Sequence, residues 1–179
     1  MIPLKYPTKP FLRFPQGPWR FQLSASTREV SAALKAEEKR QKAFFDLFPV
    51  RDQNLGFSCL TDTAFGKDLI RLGFNPKTTE VFYRKSSQFY ETVTSHKDFA
   101  GNLHVALALS KSKYRLCFSD YPKIGGFYEG EGVIFPGGKF KHHVLASNAD
   151  RVLVICCQQD MSAADFSSLK ALSFTPFKN

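Results

Sequence analysis

The strongest constraint on the fold is a change of texture near residue 75. Before it, Arg28–Leu47 is dense in Ala, Glu, Lys and Leu, the residues that favour a helix. After it, apolar residues come in short alternating stretches cut by Gly, Pro, Asn and Ser, the pattern of strands and turns. Strands are predicted at Val81–Arg84, Phe89–Val93, Leu103–Leu109, Tyr114–Phe118, Gly132–Phe135, Phe140–Leu145 and Arg151–Cys157. A chain that spends its helices first and its strands afterwards is α+β, with a mostly antiparallel sheet. Its 179 residues, 43% of them hydrophobic, suffice for one domain with a real core.

Within that single domain, 1–179, three parts are expected. Residues 1–23 hold five Pro and, among their aromatics, Phe11, Phe14, Trp19 and Phe21, so they read as an extended arm with a short strand at Trp19–Leu23. Residues 24–74 are helical. Ser26 and Glu29 have capping-box spacing at the first helix, and Val30, Ala33, Leu34, Phe44, Phe45 and Phe48 supply its buried side. Its polar middle, Lys35–Lys42, reads as a solvated face. Residues 50–60 look extended. A second helix near Thr63–Leu72 is capped by Asp62 and stopped by Gly73. Residues 75–179 are β-rich, with a last short helix at Ala163–Leu172 capped by Ser162.

The net charge of +9 favours an anionic partner: nucleic acid, acidic lipid, an acidic protein or a phosphorylated small molecule. A basic surface with no specific anion is the plainer reading. Cys59, Cys117, Cys156 and Cys157 form no Cys-x-x-Cys pair, which points to reduced thiols and a reducing compartment. The start of the chain has no signal-peptide pattern, and no apolar run approaches the ~20 residues of a membrane span. A cytoplasmic location is therefore expected, or delivery into a target cell without a cleavable signal.

The richest chemical segment is Tyr128–Lys141. Glu129 and Glu131 are two residues apart, so on a strand both carboxylates face one side. An acidic turn leading into a core strand is the simpler alternative. The segment resembles the C-terminal part of ADP-ribosyltransferase toxins of the arginine-serine-glutamate class, through Tyr128, Glu129, Glu131, Val133-Ile-Phe and Gly138-Lys-Phe-Lys. Thr92-Val-Thr-Ser95 stands where that family has Ser-Thr-Ser, and Asp98-Phe-Ala with Val105–Leu109 follows in its order. The likeness spans about residues 92–157. Gly132 is an extra residue in the pattern.

What the resemblance implies is a mono-ADP-ribosyltransferase toxin or effector that uses NAD as substrate and modifies a protein target. Glu131 would stabilise the positive charge that develops on the ribose, and Glu129 would activate the acceptor. Arg51 or Arg84 would bind the dinucleotide phosphates. Thr94 or Ser95 would brace the catalytic Glu, and Tyr128 would meet the target.

Other readings stand beside it. Cations and rings interleave at Phe82-Tyr-Arg-Lys, Lys113-Tyr-Arg and Lys139-Phe-Lys-His-His, as in single-strand nucleic-acid binding. A ribonuclease-like toxin would use His142 or His143 with Glu131. An inactive interaction scaffold would use none of them. No metal site is expected: His142 and His143 point to opposite strand faces and read as exposed basic turn residues. His96 near Asp98 is a lone short-range coincidence that could form half of an acid–base pair.

Overall fold

The computed structural model describes residues 18–23, 26–48, 53–72, 74–85, 93–98, 103–109, 116–120, 127–138, 140–144, 152–158 and 172–176. Strand β1, Trp19–Leu23, comes first, followed by helix α1, Thr27–Leu47, and helix α2, Ala64–Leu72. The strands β2 (Glu80–Lys85), β3 (Val93–His96), β4 (Leu103–Ala108) and β5 (Leu116–Phe118) follow. The last four are β6 (Glu131–Pro136), β7 (His142–Val144), β8 (Val152–Gln158) and β9 (Leu172–Pro176). They build a six-stranded sheet in the order β2-β8-β4-β6-β1-β9 and a three-stranded sheet in the order β3-β7-β5. Every strand pairing is antiparallel.

The larger sheet is buried on both faces, which explains why its central strands lack a polar side. Along β4, Leu103, Val105 and Leu107 join Val30 and Leu34 of α1 and Phe65, Leu69 and Leu72 of α2 in one core. Ala106 and Ala108, with Val133 and Phe135 of β6, face Leu116 and Phe118 of β5 in a second core. The period-2 alternation of a strand thus feeds two cores from one sequence. His104 lies on β4 opposite Phe135 of β6, in step with Ala106 and Val133, so its side chain belongs to the inter-sheet side.

Most predicted strands stand within a residue or two of their expected bounds. The first helix is confirmed, but its caps work differently. Ser26 Oγ accepts from Arg28 N at 3.2 Å, and Glu29 reaches away to accept from Ala64 N, the first residue of α2, at 3.2 Å. Glu29 therefore ties the two helices together. Phe44 and Phe48, expected in the core, are each 58% exposed; Phe45 carries the burial. Residues 57–60, expected extended, form a 3-10 turn that buries Phe57 and Leu60. The cap of α2 is Thr63, whose Oγ1 accepts from Gly66 N at 2.9 Å, whereas Asp62 is exposed. The arm at 1–17 and most of Ala163–Leu172 lie outside the described residues, and Leu172 itself opens β9, a strand the sequence did not announce.

Gly132, the extra residue in the toxin-like pattern, has a packing reason. A Cβ there would come within 2.4 Å of the Ala106 carbonyl oxygen and 2.3 Å of the Phe21 ring. Only glycine lets β1, β6 and β4 approach so closely. Cys59 and Cys117 are half-buried thiols outside any disulfide, and burial pushes the Cys59 thiol up to about 11, so it stays protonated at neutral pH.

Candidate metal centre

The smaller sheet sets two imidazoles side by side, their planes tilted by 53°. His96 ends β3, His142 opens β7, and the two are cross-strand partners with ring centroids 4.6 Å apart. Directly opposite residues on antiparallel strands share one face, so a pairing register alone creates this pair. Asp98 follows His96 by two residues and turns its carboxylate to the same spot. Its Oδ1 lies 3.6 Å from His96 Nε2, and its Oδ2 lies 3.3 Å from His142 Nε2. The Asp98 backbone is fixed there by its N–H, which donates to the Gly137 carbonyl at 3.1 Å.

These three side chains offer ligand atoms that all lie within 4.8 Å of one another. Metal–ligand bonds of about 2.1 Å place neighbouring donors roughly 3.0 Å apart at right angles and roughly 3.4 Å apart at tetrahedral angles. The observed separations of 3.3 and 3.6 Å fall close to that range.

The protonation pattern also fits a cation. His142 Nδ1 lies 2.9 Å from the Phe140 carbonyl, so the ring proton sits on Nδ1 and Nε2 keeps a lone pair. That lone pair faces Asp98 Oδ2, a buried oxygen without a hydrogen-bond partner. Burial lowers the His142 pKa, against the opposing pull of the Phe140 hydrogen bond and Asp98, so the ring is neutral at pH 7. Two lone pairs 3.3 Å apart repel unless a positive charge lies between them. The backbone contact at Nδ1 is the kind of outer contact that orients a metal-binding histidine.

The back of the site is apolar and the front is open. Phe135 packs edge-on against His142 at 4.8 Å, and Phe118 lies 6.2 Å from it. The His142 side chain is 7% exposed, whereas that of His96 is 41% exposed. A molecule approaching from solvent therefore meets the site on the His96 side. A third imidazole, His104, lies behind Asp98, with Nε2 3.3 Å from Oδ2. Burial pushes the His104 pKa down to about 4, with Asp98 opposing and the other two rings assisting.

The carboxylates singled out in the sequence lie elsewhere, at the junction of β1, β6 and α1. Glu131 pairs with Arg20 at 2.5 Å and accepts from Tyr128 N at 2.9 Å. Glu129 accepts from Thr27 Oγ1 at 2.6 Å, close to the start of α1. Both carboxylates tie chain segments together. Tyr128 is exposed. Ser95, on β3 next to His96, has its Oγ 3.2 Å from Ser119 Oγ. The backbones of Thr94 and Arg84 lie on β3 and β2, and Arg51 falls outside the described residues. The reading of His142 as an exposed turn residue is corrected: it is a buried strand residue, and with His96 and Asp98 it forms a group that could hold a metal ion, where no metal site was expected. The signal was present as His96-x-Asp98 with a distant His142, but only the pairing of β3 with β7 joins its parts.

Two solved structures share the architecture. AviO1 from Streptomyces viridochromogenes Tue57 superposes with a TM-score of 0.56 at 11% identity, covering 85% of this chain and 94% of that one. A Pseudomonas putida prolyl-4-hydroxylase superposes with a TM-score of 0.54 at 16% identity, covering 81% of this chain and 93% of that one. At such identities the likeness establishes the fold. No family model matches the chain, and no curated protein matches its sequence. The shared architecture, two facing antiparallel sheets of jelly-roll type, overturns the resemblance to ADP-ribosyltransferase toxins. The α+β class stands, but the transferase fold, the toxin activity and NAD as substrate do not. The nucleic-acid-binding, ribonuclease-like and scaffold alternatives gain no support from it either. Among the described residues no helix is long and apolar enough to cross a membrane.

Proposed function

We propose that this chain is a non-haem iron(II) hydroxylase that uses 2-oxoglutarate as co-substrate. The observation that carries the reading is the convergence of His96, Asp98 and His142 on one spot at the mouth of two facing sheets. Two histidines and one carboxylate, with further positions left open, are the ligand set of non-haem iron(II) oxygenases. The shared fold with a prolyl-4-hydroxylase agrees with that chemistry. When bound, the iron with its 2-oxo acid supplies the activation of dioxygen for hydroxylation.

The chain's own residues do the rest. Phe140, through its carbonyl, keeps the proton of His142 on Nδ1 and so keeps Nε2 available. Gly137 anchors the Asp98 backbone. The Phe118 and Phe135 rings exclude water from behind, which strengthens electrostatic attraction between the carboxylate and a cation. The half-exposed His96 leaves the front accessible to substrate.

The test is anaerobic titration with iron(II), followed by assay for succinate from 2-oxoglutarate in air. Tight binding of one equivalent and succinate formation are expected, both abolished by Asp98→Ala. A protein that binds no divalent metal at micromolar concentration refutes the reading.

A further inference from the structure

His104 lies outside the three-residue ligand group, yet it approaches the same carboxylate. It comes from a different sheet: His96 and His142 sit on β3 and β7, whereas His104 sits on β4. Its ring stacks on Phe135 at 5.4 Å, and its side chain is 12% exposed. An imidazole buried beside a cluster of Ala, Val, Leu and Phe calls for a reason.

Asp98 Oδ2 supplies it. Two ring nitrogens lie 3.3 Å from that oxygen, one from His142 and one from His104. The His142 nitrogen is committed as a lone pair, because its ring proton is held at Nδ1 by the Phe140 carbonyl. Of the two nitrogens, only that of His104 can therefore present a proton to Oδ2. The neighbouring backbone is shaped around this meeting. A Cβ on Gly137 would stand 2.3 Å from Asp98 Oδ2 and 2.8 Å from His104 Nε2. Glycine at 137 leaves the space in which the carboxylate and the ring come together.

We propose that His104 is a positioning residue: with its proton on Nε2 it engages one lone pair of Asp98 Oδ2 and turns the other toward a divalent cation shared with His96 and His142. This rests on the metal-centre reading above. In water a carboxylate turns freely and offers either oxygen. Backed by an imidazole 3.3 Å away, it is confined to one orientation. An outer hydrogen-bond partner of this kind is worth 10–100-fold in metal affinity.

The experiment uses the full chain and cobalt(II), an air-stable probe with a visible ligand-field spectrum. Binding is followed by calorimetry and absorption for the unaltered protein and for His104→Phe, His104→Gln and Asp98→Ala. His104→Phe keeps a ring against Phe135 but donates nothing. His104→Gln loses the ring but keeps an N–H donor. The expected result is a loss of about 10–100-fold in cobalt affinity for Phe, and near-normal affinity with an unchanged spectrum for Gln. His104→Leu replaces the Phe variant if thermal melts show that the latter does not fold. Equal affinity in the Phe variant and the unaltered protein overturns the proposal. So does tight binding by Phe with weak binding by Gln, which assigns the ring to packing. Equal weakness of both variants, with the Gln spectrum altered, makes the imidazole a direct ligand and also overturns it. Failure of the unaltered protein to bind cobalt removes the metal centre itself, an outcome distinct from all of these.

Discussion

Acidifying the metal-free protein should cost stability through His104 before the carboxylates contribute. Its folded-state pKa is about 4 against 6.5 for an exposed ring, a gap of about 2.5. Burial is the main cause, so the folded protein resists the proton that the unfolded chain accepts. The unfolded state therefore binds more protons between these values, and stability falls as pH falls. The contribution is fully present above about pH 6.5, declines below it, and is spent near pH 4. At 1.36 kcal/mol per unit, the whole gap is worth about 3 kcal/mol, most of it lost by pH 4.5. Against a total of roughly 5–15 kcal/mol, such a loss is easily measured. His142, also lowered by burial, adds to the decline in the same window. Glu37, lowered chiefly by its hydrogen bond to Arg40, acts only below about pH 4.5. The assay is urea denaturation at several pH values between 7 and 4.5, comparing the unaltered protein with His104→Phe. The unaltered protein should lose about 2–3 kcal/mol relative to the variant across that span. A difference that stays constant with pH refutes the argument that His104 is buried as the neutral ring.

Two further substitutions separate the metal centre from the acidic junction. Gly137→Ala drives a methyl group into Asp98 Oδ2 and His104, so divalent-metal affinity should drop at least about tenfold, read by calorimetry, while helical circular dichroism is retained. Glu131→Gln breaks a partly exposed ion pair with Arg20 worth about 1 kcal/mol or less, so the melting temperature should fall slightly and metal affinity should not change. A loss of metal binding in Glu131→Gln would contradict the separation of the two sites.

The element order was largely legible because it depends on local rules. Ala, Glu and Lys made α1 visible, and short apolar runs bounded by turn residues made β4, β6 and β8 visible. The 3-10 turn at Phe57–Leu60 was not, since its apolar residues are drawn inward by a core that other segments build. Phe44 and Phe48 show the reverse error: apolar character does not fix which side of a helix end finds a partner. The Glu129–Glu131 pair drew attention because closely spaced acidic residues are conspicuous in one dimension. Their partners, Thr27 and Arg20, lie more than a hundred residues away and were invisible there.

By itself, the sequence determined that this chain forms an antiparallel β-rich domain faced by amphipathic helices. Hydrophobic periodicity and turn residues act over a few positions, and that range suffices. The candidate metal centre required the third dimension. His96 and Asp98 are separated from His142 by more than forty residues, and only the register of β3 against β7 sets the two imidazoles together. His104 arrives from the other sheet, across a layer whose spacing depends on every side chain packed within it. Long-range pairing of that kind is decided by the whole fold, because no local preference along the chain encodes which distant residues will meet.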